Sequence, residues 1–271
     1  MIELPSKHAI SKAFGRKASK YNTHALIQTV LLETLCAKIL RHIPLKGKWL
    51  DAGCGTGLLW EKFRSIKAGC GEQIGDPLRY FGMDISAEPL LLMSVKKPGP
   101  VFQGDIEILP VKRNAFDLAV IASVLQWSMN TSSIFYSLRK VLKPDGLLAY
   151  SIFIEGSFRE LHETRIEAGL TVPVHLENAR TYIQCMNDAG FKISKNDSYE
   201  FVDYKKSASE VLYNIASFGG TATAGKLMNR TELRKFCDLY ESKHRTSKGI
   251  PLTYKAIQGI AYCSGPGKHN D

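Results

Sequence analysis

Lys48-Trp49-Leu50-Asp51-Ala52-Gly53-Cys54-Gly55-Thr56-Gly57 is the stretch that decides the fold. An apolar run ends in an acid and three closely spaced glycines, then passes into Leu58-Leu59-Trp60-Glu61-Lys62-Phe63, which reads as a helix opening. A strand, a tight glycine turn and a helix N-terminus bring bare backbone N–H groups against a ligand. The spacing is Gly53-x-Gly55-x-Gly57, which departs from the Gly-x-Gly-x-x-Gly of dinucleotide binding. Taken alone, such a turn also serves simply to pack strand against helix, so the ligand has to be read from its neighbours.

Outward from this stretch, strands and helices alternate. Trp49–Ala52 reads as a first strand and Leu58–Arg64 as its helix. Residues 65–80, with Gly69, Gly71, Gly75 and Pro77, read as a long loop. Tyr80–Asp84 is a second strand, Ser86 caps a helix through Lys96, and Val101–Asp105 is a third strand. Phe116–Val124 is the most continuous apolar run, as expected of a central strand buried on both faces. A helix over Thr131–Leu142, a turn at Lys143-Pro144-Asp145-Gly146 and a strand over Leu147–Ile154 follow.

Later, helices are expected over Ser157–Ala168, Asn178–Ala189, Ala208–Ser217 and Thr231–His244, the last capped by Thr231. Phe191–Tyr204 reads as one or two strands and Tyr254–Cys263 as a last one. Alternating βα units predict an α/β, doubly wound, mostly parallel sheet, and the closely joined late strands predict an antiparallel edge. The chain reads as a single domain over 1–271, with a helical N-terminal cover over 1–45. Lid or substrate-side additions are expected at about 155–180 and at 205–247.

Six cysteines (Cys36, Cys54, Cys70, Cys185, Cys237, Cys263) are scattered without a Cys-x-x-Cys pair, so neither a zinc site nor a disulfide framework is indicated. That usage fits a reducing cytoplasm, and no apolar run approaches the ~20 residues of a membrane span. Net charge is +10 and unevenly placed. Residues 1–48 carry nine Lys/Arg against Glu3 and Glu33, and residues 226–271 carry nine against four acids. Basic ends around a near-neutral middle suit an acidic partner, or simply a soluble basic surface. The N-terminal pattern (Ile10, Phe14, Tyr21) also admits a presequence or membrane-surface helix, but Glu3 and Pro5 precede it and it runs into a longer helix over Leu26–Ile39.

Asp51, Asp84 and Asp105 close the first three strands, so all three face the crevice at the carboxyl edge of the sheet. Asp84 is placed to accept both hydroxyls of a ribose. Asp105 and the backbone of Ile106 are placed for an adenine amino edge, and Asp51 for a cationic or amino group. A dinucleotide pyrophosphate would be repelled by an acid directly before its glycine loop. S-adenosylmethionine brings no phosphate but has a zwitterionic tail, a ribose and an adenine, which acid-rich strand ends suit.

These residues resemble those of the class I S-adenosylmethionine-dependent methyltransferases, whose first motif is similar to Leu50–Gly57. The resemblance implies a cofactor site of Asp51, Ala52, Gly53, Cys54, Gly55, Gly57, Asp84, Ile85, Asp105, Ile106 and Ser123, with no metal. A narrower resemblance, to the malonyl-acyl-carrier-protein O-methyltransferase family of biotin biosynthesis, is carried by Lys7-His8-Ala9-Ile10, Ala13-Phe14-Gly15-Arg16, Tyr21 and His24-Ala25. Gly104-Asp105-Ile106-Glu107-x-Leu109-Pro110, Gln126-Trp127, Gly156-Ser157-x-x-Glu160-Leu161-His162 and Pro251-Leu252-Thr253-Tyr254 add to it. The chain departs from that family at 64–80, which is longer, and at Ala216, where the family carries a lysine.

The resemblance implies that the methyl acceptor is the free carboxylate of a malonyl group on an acyl carrier protein or coenzyme A. It implies that Tyr21 closes over the cofactor, that Gln126 and Trp127 face the transferred methyl, and that Arg159 pairs with the malonyl carboxylate. For Arg159 the alternative is a plain surface charge on a helix. Acyl carrier proteins are small and acidic, which gives the basic ends a partner, and the enzyme is expected to be a monomer without nucleic-acid or membrane partners. His162 and His175 lack an acid or Cys cluster and read as solvated rather than metal-bound. The +10 charge and Trp127 raise RNA as a partner, yet no Asn-Pro-Pro-Tyr-type motif follows the fourth strand. The other readings are a quinone-ring or other small-molecule methyltransferase, and a non-catalytic methyltransferase-like assembly factor.

Overall fold

The computed structural model describes residues 7, 11–12, 26–42, 47–69, 78–96, 99–128, 130–170, 176–217 and 228–264. Its elements in chain order are α1 (Leu26–His42), β1 (Gly47–Ala52), α2 (Leu58–Gly69), β2 (Leu78–Asp84), α3 (Ala87–Val95) and β3 (Val101–Gln103). They continue with β4 (Phe116–Ala122), a 3-10 turn (Leu125–Trp127), α4 (Thr131–Val141), β5 (Leu142–Phe153), α5 (Arg159–Glu167) and α6 (Ala179–Asp188). The last are β6 (Phe191–Lys205), α7 (Ala208–Ser217), α8 (Arg230–His244) and β7 (Ile250–Cys263).

The seven strands form one sheet in the order β3-β2-β1-β4-β5-β7-β6. β1 through β5 are parallel neighbours, and β7 runs antiparallel to both β5 and β6. The expected mixed sheet is therefore present, with its antiparallel strand one place inside the edge strand β6. Strand order reverses between β1 and β4, the switch point where ligands bind in such sheets.

Alternation along the strands explains the two helical layers. Trp49 packs with α1, α2 and α3 on one face (Leu35, Cys36, Phe63, Met93), while Leu50 and Ala52 join α4 and α6 on the other (Phe135, Leu138, Met186). Trp49 meets Phe63 edge-on at 4.7 Å and Tyr80 at 5.3 Å, a geometry that aromatic quadrupoles favour. In β4, Leu118 and Val120 face the first layer, yet Phe116 faces the second, because a bulge between Phe116 and Leu118 resets the register.

A third core sits beyond the carboxyl end of β5. The β5–β7 pairing stops at Phe153↔Ala256, but β7 continues outward to Ile250 paired with Lys205 of β6. This projecting ribbon carries Ile250, Leu252 and Tyr254, on which α5 (Leu161), α7 (Ala208, Val211) and α8 (Phe236, Tyr240) pack together with Ile27 and Leu31 of α1.

Several local expectations are corrected. Asn229, not Thr231, caps α8: its side chain accepts from the N–H groups of Thr231 and Glu232, and Glu232 returns a bond to the Asn229 N–H in a capping box. Ser86 stands at the N-cap of α3 without capping it, since its hydroxyl donates to the Ser11 carbonyl instead. The region expected as the turn 143–146 is absorbed into β5, with Asp145 at φ 62°. β7 begins at Ile250 rather than Tyr254, and α2 runs to Gly69, so its end lies within the stretch expected to be loop.

Candidate active site

A cleft of about 1180 Å³, counted to its open mouth, lies over the ends of β1, β2, β3 and β4. The three glycines of its floor serve three different ends. A Cβ on Gly53 (φ +89°) would meet Val124 Cγ2 at 2.4 Å, and one on Gly57 (φ +84°) would meet Met93 Sδ at 1.9 Å, so both are needed for packing. Gly55 (φ +52°) has nothing within 4 Å of its Cβ direction and lines the cleft, leaving bare backbone for a ligand to approach. The loop is tied down by Gly53 and Cys54, whose N–H groups both donate to the Met83 carbonyl at 2.7 and 2.9 Å.

Asp84, at the end of β2, accepts from the N–H of Gly55 (2.9 Å) through one oxygen and from the N–H of Ser86 (2.9 Å) through the other. Those bonds fix its plane in the cleft lining. Burial raises its pKa, and the Ser86 and Gly55 N–H groups oppose that rise. Asp51 is 2% exposed, and burial pushes its carboxyl up to about 7, against the pull of the Tyr80 hydroxyl donating at 2.6 Å, with Asp84 adding to the rise. Asp105 accepts from Lys7 Nζ at 2.6 Å and, on its other oxygen, from the Glu107 N–H at 2.9 Å. Lys7 also reaches Glu107 at 2.6 Å, so one ammonium bridges two carboxylates.

Of the residues picked out in the sequence, Asp51, Gly53, Cys54, Gly55, Asp84, Ile85, Asp105, Ile106, Ser123 and Trp127 line this one cleft. Ala52 is fully buried in the core behind it, and Gly57 packs on α3. Gln126 donates to the Ser123 carbonyl at 2.8 Å and braces the turn after β4 rather than lining the cleft. That turn holds Ser123 at φ +55°, a conformation non-glycine residues rarely adopt, in the cleft wall. Arg159 is not in the lining; it pairs with Glu160 at 3.1 Å and approaches Glu200 at 3.8 Å. Tyr21 and His175 lie outside the described residues, and His162 packs edge-on against Phe158 in the third core's helix.

Sequence reasoning missed Lys7, Gln28, Tyr80, Glu107 and Ser128. The signal for Gln28 was available: it is a polar residue interrupting the buried stripe Ile27, Leu31, Leu32, Leu35 of α1. Among the described residues no group of three His, Cys, Asp or Glu is placed to hold a metal ion, and no helix is long and apolar enough to cross a membrane.

The cleft, its acid-tipped strands and the 3-2-1-4-5-7-6 sheet define a class I S-adenosylmethionine-dependent methyltransferase, and the Methyltransferase domain family matches residues 50–150. A Bacillus halodurans protein provisionally assigned as a methyltransferase shares the fold, with a TM-score of 0.58, 13% identity and coverage of 84% of this chain and 97% of that one. The malonyl-(acyl-carrier protein) O-methyltransferase of Geobacter sulfurreducens is 26% identical over 269 residues, covering 94% of this chain and 98% of its own length. That of Erwinia billingiae is 33% identical over 175 residues, 64% of this chain and 65% of its own. Within the class, the chain is similar over most of its length to malonyl-(acyl-carrier protein) O-methyltransferases.

Proposed function

We propose that the protein transfers a methyl group from S-adenosylmethionine to the free carboxylate of a malonyl thioester on acyl carrier protein, the step that opens pimeloyl and biotin synthesis. The observation that carries this is the joint one: an acid-lined, phosphate-averse cleft in a chain related end to end to enzymes named for that reaction. The residues fit the cofactor. Gly55 leaves room for close approach, Asp84 is oriented for ribose hydroxyls, Asp51 faces a cationic amine, and Asp105 with Ile106 borders the base. S-adenosylmethionine, when bound, supplies a methyl group activated by a positively charged sulfur.

The chain's own work is then positional. A malonyl carboxylate is already ionised at neutral pH, so no general base has to be found near it. Trp127, Ser123 and Val124 wall the cleft beyond the glycine loop, exclude water and hold the acceptor in line. The N-terminal cover over 1–45 and the additions at about 155–180 and 205–247 serve as the lid of one methyltransferase domain. Basic ends speed encounter with an acidic carrier more than they add affinity.

The test is methyl transfer to malonyl-carrier protein, with malonyl-coenzyme A and a quinone precursor as competitors. Methylation of the quinone precursor with the malonyl thioesters inert would overturn the reading. Restoration of biotin-independent growth in a strain lacking the first pimeloyl-pathway enzyme is the cellular counterpart.

A further inference from the structure

A malonyl acceptor and an amino-acid-tailed cofactor each carry a carboxylate into this cleft, yet the described charged lining is Asp51, Asp84, Asp105 and Glu107 with Lys7 as the cation. Lys7 is held between Asp105 and Glu107, both at 2.6 Å. Among the described lining residues, the donors not already set against a carboxylate are neutral ones. The Ser86 hydroxyl donates to the Ser11 carbonyl and the Ser128 hydroxyl to Glu107. Gln28 is the side-chain amide in the lining, and it is 4% exposed. No described residue forms a hydrogen bond with it.

Gln28 stands one turn before Leu32, which also lines the cleft, and its neighbours Ile27 and Leu31 pack in the third core. An apolar side chain would serve the helix equally well, yet this position keeps an amide that opens on the cleft and is not among the fully buried unpartnered atoms. The groups it lacks are an acceptor for Nε2 and a donor for Oε1, and a ligand with a carboxylate supplies the first.

We propose that Gln28 is the carboxylate-binding residue of the cleft, donating from Nε2 to a carboxylate of the bound ligand. The inference rests on the cofactor and substrate reading above. The same chemistry has two sources, the amino-acid end of the cofactor and the malonyl end of the substrate, and calorimetry separates them. In the first arm, S-adenosylhomocysteine and its decarboxylated counterpart, which keeps the nucleoside, thioether and amine, are titrated into wild type, Gln28→Leu and Gln28→Glu. In the second arm, malonyl-carrier protein is titrated into each protein saturated with S-adenosylhomocysteine.

Loss of a charged hydrogen bond predicts weakening by about tenfold to a hundredfold in Gln28→Leu. Weakening toward S-adenosylhomocysteine with the decarboxylated ligand unaffected assigns Gln28 to the cofactor. Weakening toward malonyl-carrier protein alone assigns it to the substrate. Gln28→Glu, nearly isosteric, should repel the same ligand and keeps the test open if the leucine variant melts early. Wild-type affinity in both arms overturns the proposal, as does equal loss for the decarboxylated ligand, which would mark a packing defect. Wild-type protein that binds neither nucleoside ligand overturns the cofactor reading itself, and this inference with it.

Discussion

Replacing Asp51 by Asn should make the ligand-free protein more stable and the cofactor bind more weakly, with both effects set by pH. The carboxyl is 2% exposed, and burial moves its pKa from 3.8 to about 7. The folded value is raised, so the native state holds its proton more tightly than the unfolded chain does. Asp51 therefore costs no stability below about pH 4, and an increasing amount from there to pH 7, where the cost levels off. A shift of about three pH units at ~1.4 kcal/mol each is about 4 kcal/mol at most. Asp51→Asn removes that cost, so its melting temperature should exceed that of wild type at pH 8 and match it near pH 4.

For binding the sign is opposite: a cationic amine needs the ionised carboxylate. With a pKa of about 7 in the free protein, affinity should fall about tenfold between pH 8 and pH 6. Tyr80→Phe removes a 2.6 Å hydrogen bond that holds this pKa down, and should move the fall to higher pH. Calorimetric titration with S-adenosylhomocysteine at several pH values reads all of this. A wild-type profile that is flat, or that Asp51→Asn reproduces, would refute the assignment.

Other expectations follow from single contacts. Gly55→Ala places a methyl group in the cleft at a φ of +52°; it should cost ~1–2 kcal/mol of stability by denaturant titration but abolish measurable cofactor binding. Glu160 accepts from the Thr253 N–H at 2.9 Å and hydroxyl at 2.5 Å, so Glu160→Gln should cost ~1.5–3 kcal/mol in melting experiments and leave cofactor affinity intact. Burial pushes the Glu160 carboxyl up, but the Thr253 bonds hold it below its usual 4.5; its stabilisation is full above that value and is lost as pH falls through the lower folded one. Turnover of malonyl-carrier protein should drop steeply with salt while cofactor binding barely changes, and a salt-insensitive kcat/KM would exclude electrostatic docking.

The sheet was legible because its strands obey a simple pattern: runs of buried residues in β1 and β4, an acid at or just beyond the carboxyl ends of β1, β2 and β3, and a glycine turn after the first. The switch-point cleft follows from that alternation alone. What was illegible depends on long-range pairing. The extension of β7 from Tyr254 back to Ile250 is set by pairing with β6 and by α5, α7 and α8, not by local propensity. Thr231 and Asn229 are both good capping residues two positions apart, and only the reciprocal bond with Glu232 decides between them. Arg159 was expected either to pair with the malonyl carboxylate or to be a plain helix charge, and its side chain pairs with the adjacent Glu160. Tyr80 went unread because a partner distant in sequence, Asp51, defines it, whereas Gln28 was legible as a polar break in the buried stripe of α1.

The cleft walls beyond β2 and β3 are both tied to residues of the N-terminal stretch. Lys7 fixes Asp105 and Glu107 beyond β3, while Ser11 accepts from the Ser86 hydroxyl and donates to the Ile85 carbonyl beyond β2. Both Asp105 oxygens are already engaged, so under the proposed function a base would have to use the lone pairs that remain. Its orientation is set by Lys7 and the Glu107 N–H rather than by the ligand, which removes an ordering cost from binding. A positive charge at position 7 therefore does two things at once: it screens two neighbouring carboxylates from each other, and it anchors residue 7 in the cleft lining. The uneven placement of charge along the sequence, which suits an acidic partner or simply a soluble basic surface, has at this residue a structural use inside the cleft.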